Sequence, residues 1–214
     1  MRTTSDKIQI GVAAMMTAGF LLMIQPGRAQ NHMQLSYNYS ISMGDTRDFI
    51  DRGSFRGGTF QLGHHLTGRI ALGLKLGLHT FYQDLEKDTY TEDNITVYGK
   101  QFRYLNSSPA LLTGQYNLTD RSNRIIPYVK LGLGACYIQQ RTDIGFYTFT
   151  NDYQWNFGFQ PEAGVLVPLG QKIGISAGAE YLYSLGNRSI GNQQYLSVHL
   201  GLILINLGQQ QQQR

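Results

Sequence analysis

The sequence is poor in several features that define common protein classes. It holds a single cysteine, Cys136, so no disulfide can form within the chain. Beyond residue 29 it has no apolar run near the ~20 residues that a transmembrane helix needs, and its mean hydropathy is slightly negative. Charged residues make up only 15% of the chain, with no basic run. A helical membrane protein and a nucleic-acid-binding protein are therefore excluded.

The N-terminus has the features of a secretory signal. Arg2 and Lys7 are basic, residues 10–24 are apolar, and Pro26-Gly-Arg-Ala29 precedes a cleavage site before Gln30. The alternative is a transmembrane helix, but the apolar run is shorter than ~20 residues and Pro26 ends it. We therefore predict a cleaved signal peptide over residues 1–29 and an exported protein.

The rest of the chain alternates between apolar and polar residues. From Met33 to Met43 every odd position is apolar or aromatic and every even one is small and polar. A period of two places the two sets on opposite faces of a β-strand. Seven further segments show a similar pattern, and together the predicted strands are 33–43, 54–66, 69–82, 100–118, 126–139, 154–168, 172–184 and 193–207.

The polar faces carry glycine together with the few charges, as in Lys130-x-Gly132-x-Gly134. A narrow barrel of eight strands has room inside only for small residues and a few long polar ones. The apolar faces would then point outward, an arrangement that requires lipid. A lipocalin-like soluble barrel would have the faces reversed.

The connections alternate in length, which supports the same interpretation. Thr67-Gly68, Thr119–Arg124 and Leu169–Gln171 are short, whereas Gly44–Gly53, Gln83–Gly99, Gln140–Tyr153 and Leu185–Asn192 are long. Outer-membrane barrels have tight periplasmic turns and long extracellular loops. We therefore predict an all-β, eight-stranded antiparallel up-and-down transmembrane β-barrel over residues 30–207, followed by a polar disordered tail over residues 208–214.

Three segments carry a resemblance to a known family: Pro127-Tyr-Val-Lys-Leu-Gly-Leu-Gly-Ala-Cys-Tyr, Phe157-Gly-Phe-Gln-Pro-Glu-Ala-Gly-Val and Leu196-Ser-Val-His-Leu-Gly-Leu. They resemble the small outer-membrane β-barrels of Gram-negative bacteria, the group of the OmpA transmembrane domain, OmpX and the porin-family barrel domains. The resemblance covers the whole mature chain and implies outer-membrane localisation. One departure is the last strand, since family members usually end it on Phe or Trp, whereas here it ends on Leu207 before a glutamine-rich tail.

Two groups of residues are candidate sites, and both are structural. The first is a polar network in the lumen, formed by Lys75, Lys130, Glu162, Glu180 and His199. Buried charges must be paired, so we predict ion pairs that plug the barrel. The second is an aromatic girdle at the membrane interfaces, formed by Tyr82, Tyr116, Tyr137, Trp155, Phe157, Tyr181 and Tyr183.

We predict no enzymatic activity, no cofactor and no metal site. The expected role is structural or in surface interaction through the four long loops. One alternative is a narrow passive channel, and another is a lipid-modifying enzyme built on Ser197-Val198-His199. The expected partners are outer-membrane lipid and lipopolysaccharide, the barrel-insertion machinery and an unidentified extracellular ligand, with the protein itself a monomer.

Overall fold

The fold is known from a computed structural model, which describes residues 31–92, 95–120, 123–170, 172–186 and 190–206. The predicted signal peptide, residues 1–29, and the predicted tail, residues 208–214, lie outside the described residues. Within them the elements are β1 (Asn31–Met43), α1 (Gly44–Phe49), β2 (Ser54–His65), β3 (Ile70–Glu92), β4 (Ile95–Asn117), β5 (Ile126–Ile144), β6 (Tyr147–Pro168), β7 (Ile173–Ser184) and β8 (Gln193–Asn206).

The eight described strands form a closed antiparallel barrel in which each strand pairs with its sequence neighbour and β8 pairs with β1. This confirms the predicted fold. Closure gives the backbone N–H and C=O groups of every strand a neighbouring strand to bond with, which a sheet in lipid requires. No helix among the described residues has the length and apolar character to cross a membrane.

The alternation of faces follows the sequence pattern. On β5, Val129, Leu131 and Leu133 are exposed on the outer wall, whereas Lys130 is buried in the lumen between them. The outer wall is a continuous apolar surface, because leucine, isoleucine, valine and aromatic residues occupy the outward positions of all eight strands. Such a surface is stable against lipid and unstable against water.

Two predicted loops prove to be mostly strand. The segment 83–99 forms the ends of β3 and β4, which pair as far as Glu92 and Ile95. The segment 140–153 forms the ends of β5 and β6, joined by a two-residue turn in which Gly145 has a φ of 59°. A positive φ at this position is typical of tight hairpin turns. Above the membrane the outer face need not be apolar, so the alternation fades although the hydrogen-bonded ladder continues.

The interior also differs from the prediction in its outer half. There the lumen is filled by apolar side chains, in the cluster Ile50, Phe81, Leu105, Leu111, Cys136, Ile138, Leu182, Ile190 and Tyr195. Ile50 and Ile190 come from the connections at the long-hairpin end, so this cluster lies at that end of the lumen. The expectation that only small residues and a few long polar ones face the lumen was therefore wrong at this end, where inward positions carry large apolar residues.

Helix α1 lies over the end of β8 at the same mouth of the barrel. The Thr46 hydroxyl donates a hydrogen bond to Oε1 of Gln193 (3.0 Å) and accepts one from the backbone N–H of Gln194 (2.7 Å). The Asp45 carboxylate accepts a bond from the backbone N–H of Asn192 (3.1 Å). These contacts fix the first and last long connections to each other above the apolar cluster.

At the opposite end the short turns are held by a surface ion pair. Nε of Arg69 donates to Oδ1 of Asp120 at 2.9 Å, which links the start of β3 to the turn after β4. Because this hydrogen bond stabilises the ionised carboxylate, it lowers the pKa of Asp120 below its ordinary value. Both side chains are exposed, so the pair orders the turn more than it stabilises the fold.

Candidate functional site

The five charged or titratable residues predicted to face the lumen do meet there. Lys75 extends from β3, Lys130 from β5, Glu162 from β6, Glu180 from β7 and His199 from β8, and all are buried. Strand register explains part of this, because Lys130 is directly opposite Glu162 and Glu162 is directly opposite Glu180. We call these five residues the lumen cluster.

Lys75 is the centre of the lumen cluster. Its Nζ lies 2.9 Å from Oε2 of Glu162 and also forms an ion pair and hydrogen bond with Oε2 of Glu180. Lys130 adds a second cation, with Nζ 2.8 Å from Oε1 of Glu162. Two ammonium groups therefore face two carboxylates. This balance of charge is what allows ions to be buried at all.

Three neutral residues add hydrogen bonds to the charged groups of the lumen cluster, and none of the three was predicted from the sequence. The Tyr128 hydroxyl donates to Oε1 of Glu162 (2.8 Å), and Nδ2 of Asn38 donates to Oε1 of Glu180 (3.0 Å). Nζ of Lys130 also donates to Oε1 of Gln61 (2.8 Å). Each lies at an inward position of its strand, and this position is the feature from which its place in the lumen could have been predicted. Both carboxylates are thus contacted on both oxygens.

His199 lies between the two carboxylates without a close bond to either. Its Nε2 is 3.7 Å from Glu162 and its Nδ1 is 3.7 Å from Glu180. One ligand atom from each of Glu162, Glu180 and His199 falls within 4.8 Å of the others, a spacing that could hold a metal ion. The ammonium groups of Lys75 and Lys130 already occupy the carboxylate oxygens, so a cation would have to displace them.

The Ser197-x-His199 pair does not form the contact that a hydrolase needs. The Ser197 hydroxyl is hydrogen-bonded to the hydroxyl of Ser40 (2.7 Å), which in turn contacts Nδ1 of His79 (3.1 Å). Both Ser197 and His199 are buried in the lumen and face away from lipid. A nucleophile must contact its base and be reachable by substrate, and the described arrangement provides neither.

Inward glycines make room for the lumen cluster. A Cβ atom added to Gly178 would lie 2.8 Å from the backbone oxygen of Ala163 and 2.9 Å from Cε1 of His199. Both distances are shorter than van der Waals contact. The glycines that alternate with charged residues in the sequence are therefore a packing requirement of a narrow lumen.

The seven residues predicted to form the aromatic girdle all lie on the outer wall. Tyr137 and Trp155 are in ring contact (centroids 5.1 Å apart), as are Tyr82 and Tyr104 (5.1 Å). Phe157, Tyr181 and Tyr183 lie on outward positions at the same end. Tyr116 is at the opposite end, paired with Val129 beside the short turns. Tyr104, missed in the sequence, belongs to the same band.

Comparison with known proteins agrees with this architecture. The family model described as surface antigen matches residues 61–197 of the chain, which is more than half of its length. The chain belongs to the surface antigen family. Several solved structures share its fold, whereas a search of the curated proteins finds no significant match.

Among the structures similar to this surface antigen family member, Neisserial surface protein A (NspA) is 11% identical, with a TM-score of 0.50, over 83% of this chain and 97% of that one. A major outer membrane protein from Thermus thermophilus is 10% identical, with a TM-score of 0.52, over 84% and 100%. Ail, the attachment invasion locus protein of Yersinia pestis, solved with the heparin analogue sucrose octasulfate, is 10% identical, with a TM-score of 0.50, over 84% and 100%.

These likenesses concern the fold, since the identities are low. Together with the family match they place the surface antigen family member in the outer membrane, as the resemblance in its sequence implied. In barrels of this kind the apolar wall lies in the bilayer, the short turns in the periplasm and the long hairpins outside the cell, and we expect the same orientation here.

Proposed function

We propose that this outer-membrane barrel is a closed structural scaffold, without transport or catalytic activity, that presents its long hairpins for interaction at the cell surface. The observation that carries the proposal is the filling of the lumen in two successive layers. The lumen cluster is one layer, in which Lys75, Lys130, Glu162 and Glu180 are each at most 5% exposed. The apolar cluster under α1 is the other.

Both layers oppose conduction, for different physical reasons. An ion passing the lumen cluster would have to break ion pairs in a medium of low dielectric constant, and water passing the apolar cluster would lose its hydrogen bonds. An eight-stranded barrel has an interior just wide enough for its own side chains. A conductance measurement therefore distinguishes a closed scaffold from the alternative, a narrow passive channel.

We expect no current steps of fixed size when the purified protein is inserted into planar lipid bilayers. A general porin inserted under the same conditions is the positive control, and heat-modifiable gel mobility checks that the barrel is folded. Reproducible steps whose ion selectivity changes in the Lys130→Met variant would contradict a closed lumen and support the channel.

The surface role is supported by the outward hairpins. The backbone N–H of Gly145 donates to the carbonyl oxygen of Lys100 at 3.2 Å, so the turn between β5 and β6 is bonded to β4. Tyr98 and Phe146, on either side of this contact, are 73% and 106% exposed, and Tyr147 is also exposed. Exposed aromatic residues on a rigid support are typical of recognition surfaces.

Replacing Tyr98 and Phe146 together with serine is expected to reduce the attachment of whole cells to cultured host cells, without loss of surface expression. The control is Leu66→Ser, which removes an apolar side chain that is 56% exposed at the short-turn end of the barrel. If both variants bind as the wild type does, the hairpin tips have no role in this interaction. If both lose binding, the effect comes from the barrel and not from its surface.

A further inference from the structure

The outer wall of the barrel contains an apolar groove that is separate from the lumen cluster and from the long hairpins. It has a volume of about 830 Å³ and lies across β2, β3 and β4. Its floor is made of small residues, among them Gly58, Ser108 and Ala110. A Cβ atom added to Gly58 would meet only one atom within 4 Å, a backbone oxygen at 3.7 Å, so no side chain covers the floor there.

Bulky side chains form the walls of this groove. Tyr37 and Trp155 stand at its two sides, and Leu78, which is 68% exposed, projects between them. The Tyr37 hydroxyl donates a hydrogen bond to the backbone oxygen of Phe55, which fixes this wall to the residue before Arg56. The volume is within the usual range for ligand sites, and the lining suits hydrocarbon chains.

Arg56 lines the groove at its extracellular end and has a free charge. Its guanidinium carbon lies 5.8 Å from the ring centroid of Tyr82, in the aromatic band, and among the described residues it forms no ion pair. The neighbouring charges are unbalanced as well, because Arg52 (2.9 Å) and Lys100 (4.0 Å) share the single carboxylate of Asp84. Next to Tyr82 the cations Arg52, Arg56 and Lys100 therefore outnumber the carboxylate of Asp84, at the level where lipid headgroups lie.

We propose that this groove and Arg56 form a binding site for a phosphorylated, acylated glycolipid of the outer leaflet, the lipid A part of lipopolysaccharide. An acyl chain would lie over Gly58 and Ala110, and a sugar phosphate would meet the guanidinium group of Arg56. Arginine suits this role because its planar group binds two phosphate oxygens at once. Stacking on Tyr82 leaves the N–H edges of the guanidinium group free for that purpose.

The charge of the site is tested with the full-length protein in detergent micelles, titrated with diphosphoryl lipid A and followed by native mass spectrometry. We expect Arg56→Gln to weaken binding about tenfold, the effect of losing one charge-assisted contact. The matched control is Arg47→Gln, which removes an exposed cation of α1 that is paired with Asp51 (2.7 Å) and does not line the groove. Equal binding by wild type and Arg56→Gln would overturn the proposal.

The groove itself is tested by filling it. Ala110→Trp is expected to weaken binding of diphosphoryl lipid A although Arg56 is intact, whereas Ala177→Trp, on the outer wall of β7, leaves it unchanged. Phosphatidylglycerol serves as a second probe, and binding as tight as that of diphosphoryl lipid A would contradict the choice of glycolipid. Unchanged binding in the Ala110→Trp variant would likewise exclude the groove as the site.

Discussion

Replacing Lys75 with methionine is expected to lower the free energy of unfolding by about 3–5 kcal/mol, the usual cost of breaking a buried ion pair from one side. Lys75 contacts both carboxylates, and among the described residues Glu180 has no other lysine or arginine partner. Its loss leaves Glu180 buried with only Asn38 as a hydrogen-bond donor. The measurement is unfolding by guanidinium chloride in lipid vesicles, followed by tryptophan fluorescence.

The two carboxylates give this experiment an internal control. Lys75→Met combined with Glu180→Gln leaves Lys130 paired with Glu162 at 2.8 Å, so charge is balanced and most of the lost stability returns. Lys75→Met combined with Glu162→Gln has the same net charge but separates Lys130 from its partner, and it is expected to recover less. Equal recovery in the two double variants would mean that net charge alone matters, and not the pairing.

The single variant Lys130→Met is expected to cost less than Lys75→Met, because Glu162 keeps its contact with Lys75 at 2.9 Å. If neither substitution changed stability while both changed ion selectivity, the lumen would be hydrated and the channel alternative would be correct. Stability and conductance measured on the same variants therefore separate the two hypotheses.

The strand pattern predicted the fold well because each side chain has only two possible environments in a lipid-embedded barrel. Leu131 and Lys130 differ by one position, and the alternation places one in lipid and the other in the lumen. For the same reason the five charged or titratable residues were predicted to face the interior, since any other position in the membrane would expose them to hydrocarbon. The distances between them could not be predicted, because they depend on the stagger of strands around the whole barrel.

The apolar upper layer was missed because apolar residues there occupy both faces of the strands. Leu182 lies between Tyr181 and Tyr183, and Phe81 lies beside Tyr82, so a period of two is hard to detect. That Leu182 and Phe81 point inward can be inferred only by extending the alternation of faces from the clearly alternating part of each strand. The contribution of Ile50 and Ile190 could not be read at all, because it depends on how two connections fold over the lumen.

The lengths of β3 to β6 were underestimated for a related reason. Outside the bilayer a paired strand has no apolar face to maintain, and Thr89, Tyr90, Val97 and Tyr98 have high β propensity without alternation. Local acidity in 84–93 suggested a solvated loop. Solvation and strand pairing are compatible in a hairpin with two wet faces.

The second large effect is expected on the lipid-facing side. Leu133 is exposed on the outer wall, four residues from Tyr137 in the outer aromatic band and four from Val129, which pairs with Tyr116 near the inner interface. It therefore lies close to the middle of the bilayer. Leu133→Arg is expected to destabilise the barrel in lipid vesicles by about 2–4 kcal/mol, the usual cost of a cation at that depth.

The matched control for Leu133→Arg is Leu118→Arg, which introduces the same charge just beyond Tyr116, at the periplasmic interface. There the arginine reaches headgroups and water, so the cost is expected to fall to about 0–1 kcal/mol. Equal costs at the two positions would place both at the same depth and contradict the proposed position of the membrane. A well-tolerated Leu133→Arg would mean that the outer wall does not face lipid, because in hydrocarbon the guanidinium charge at that position has no carboxylate to pair with and no water within reach.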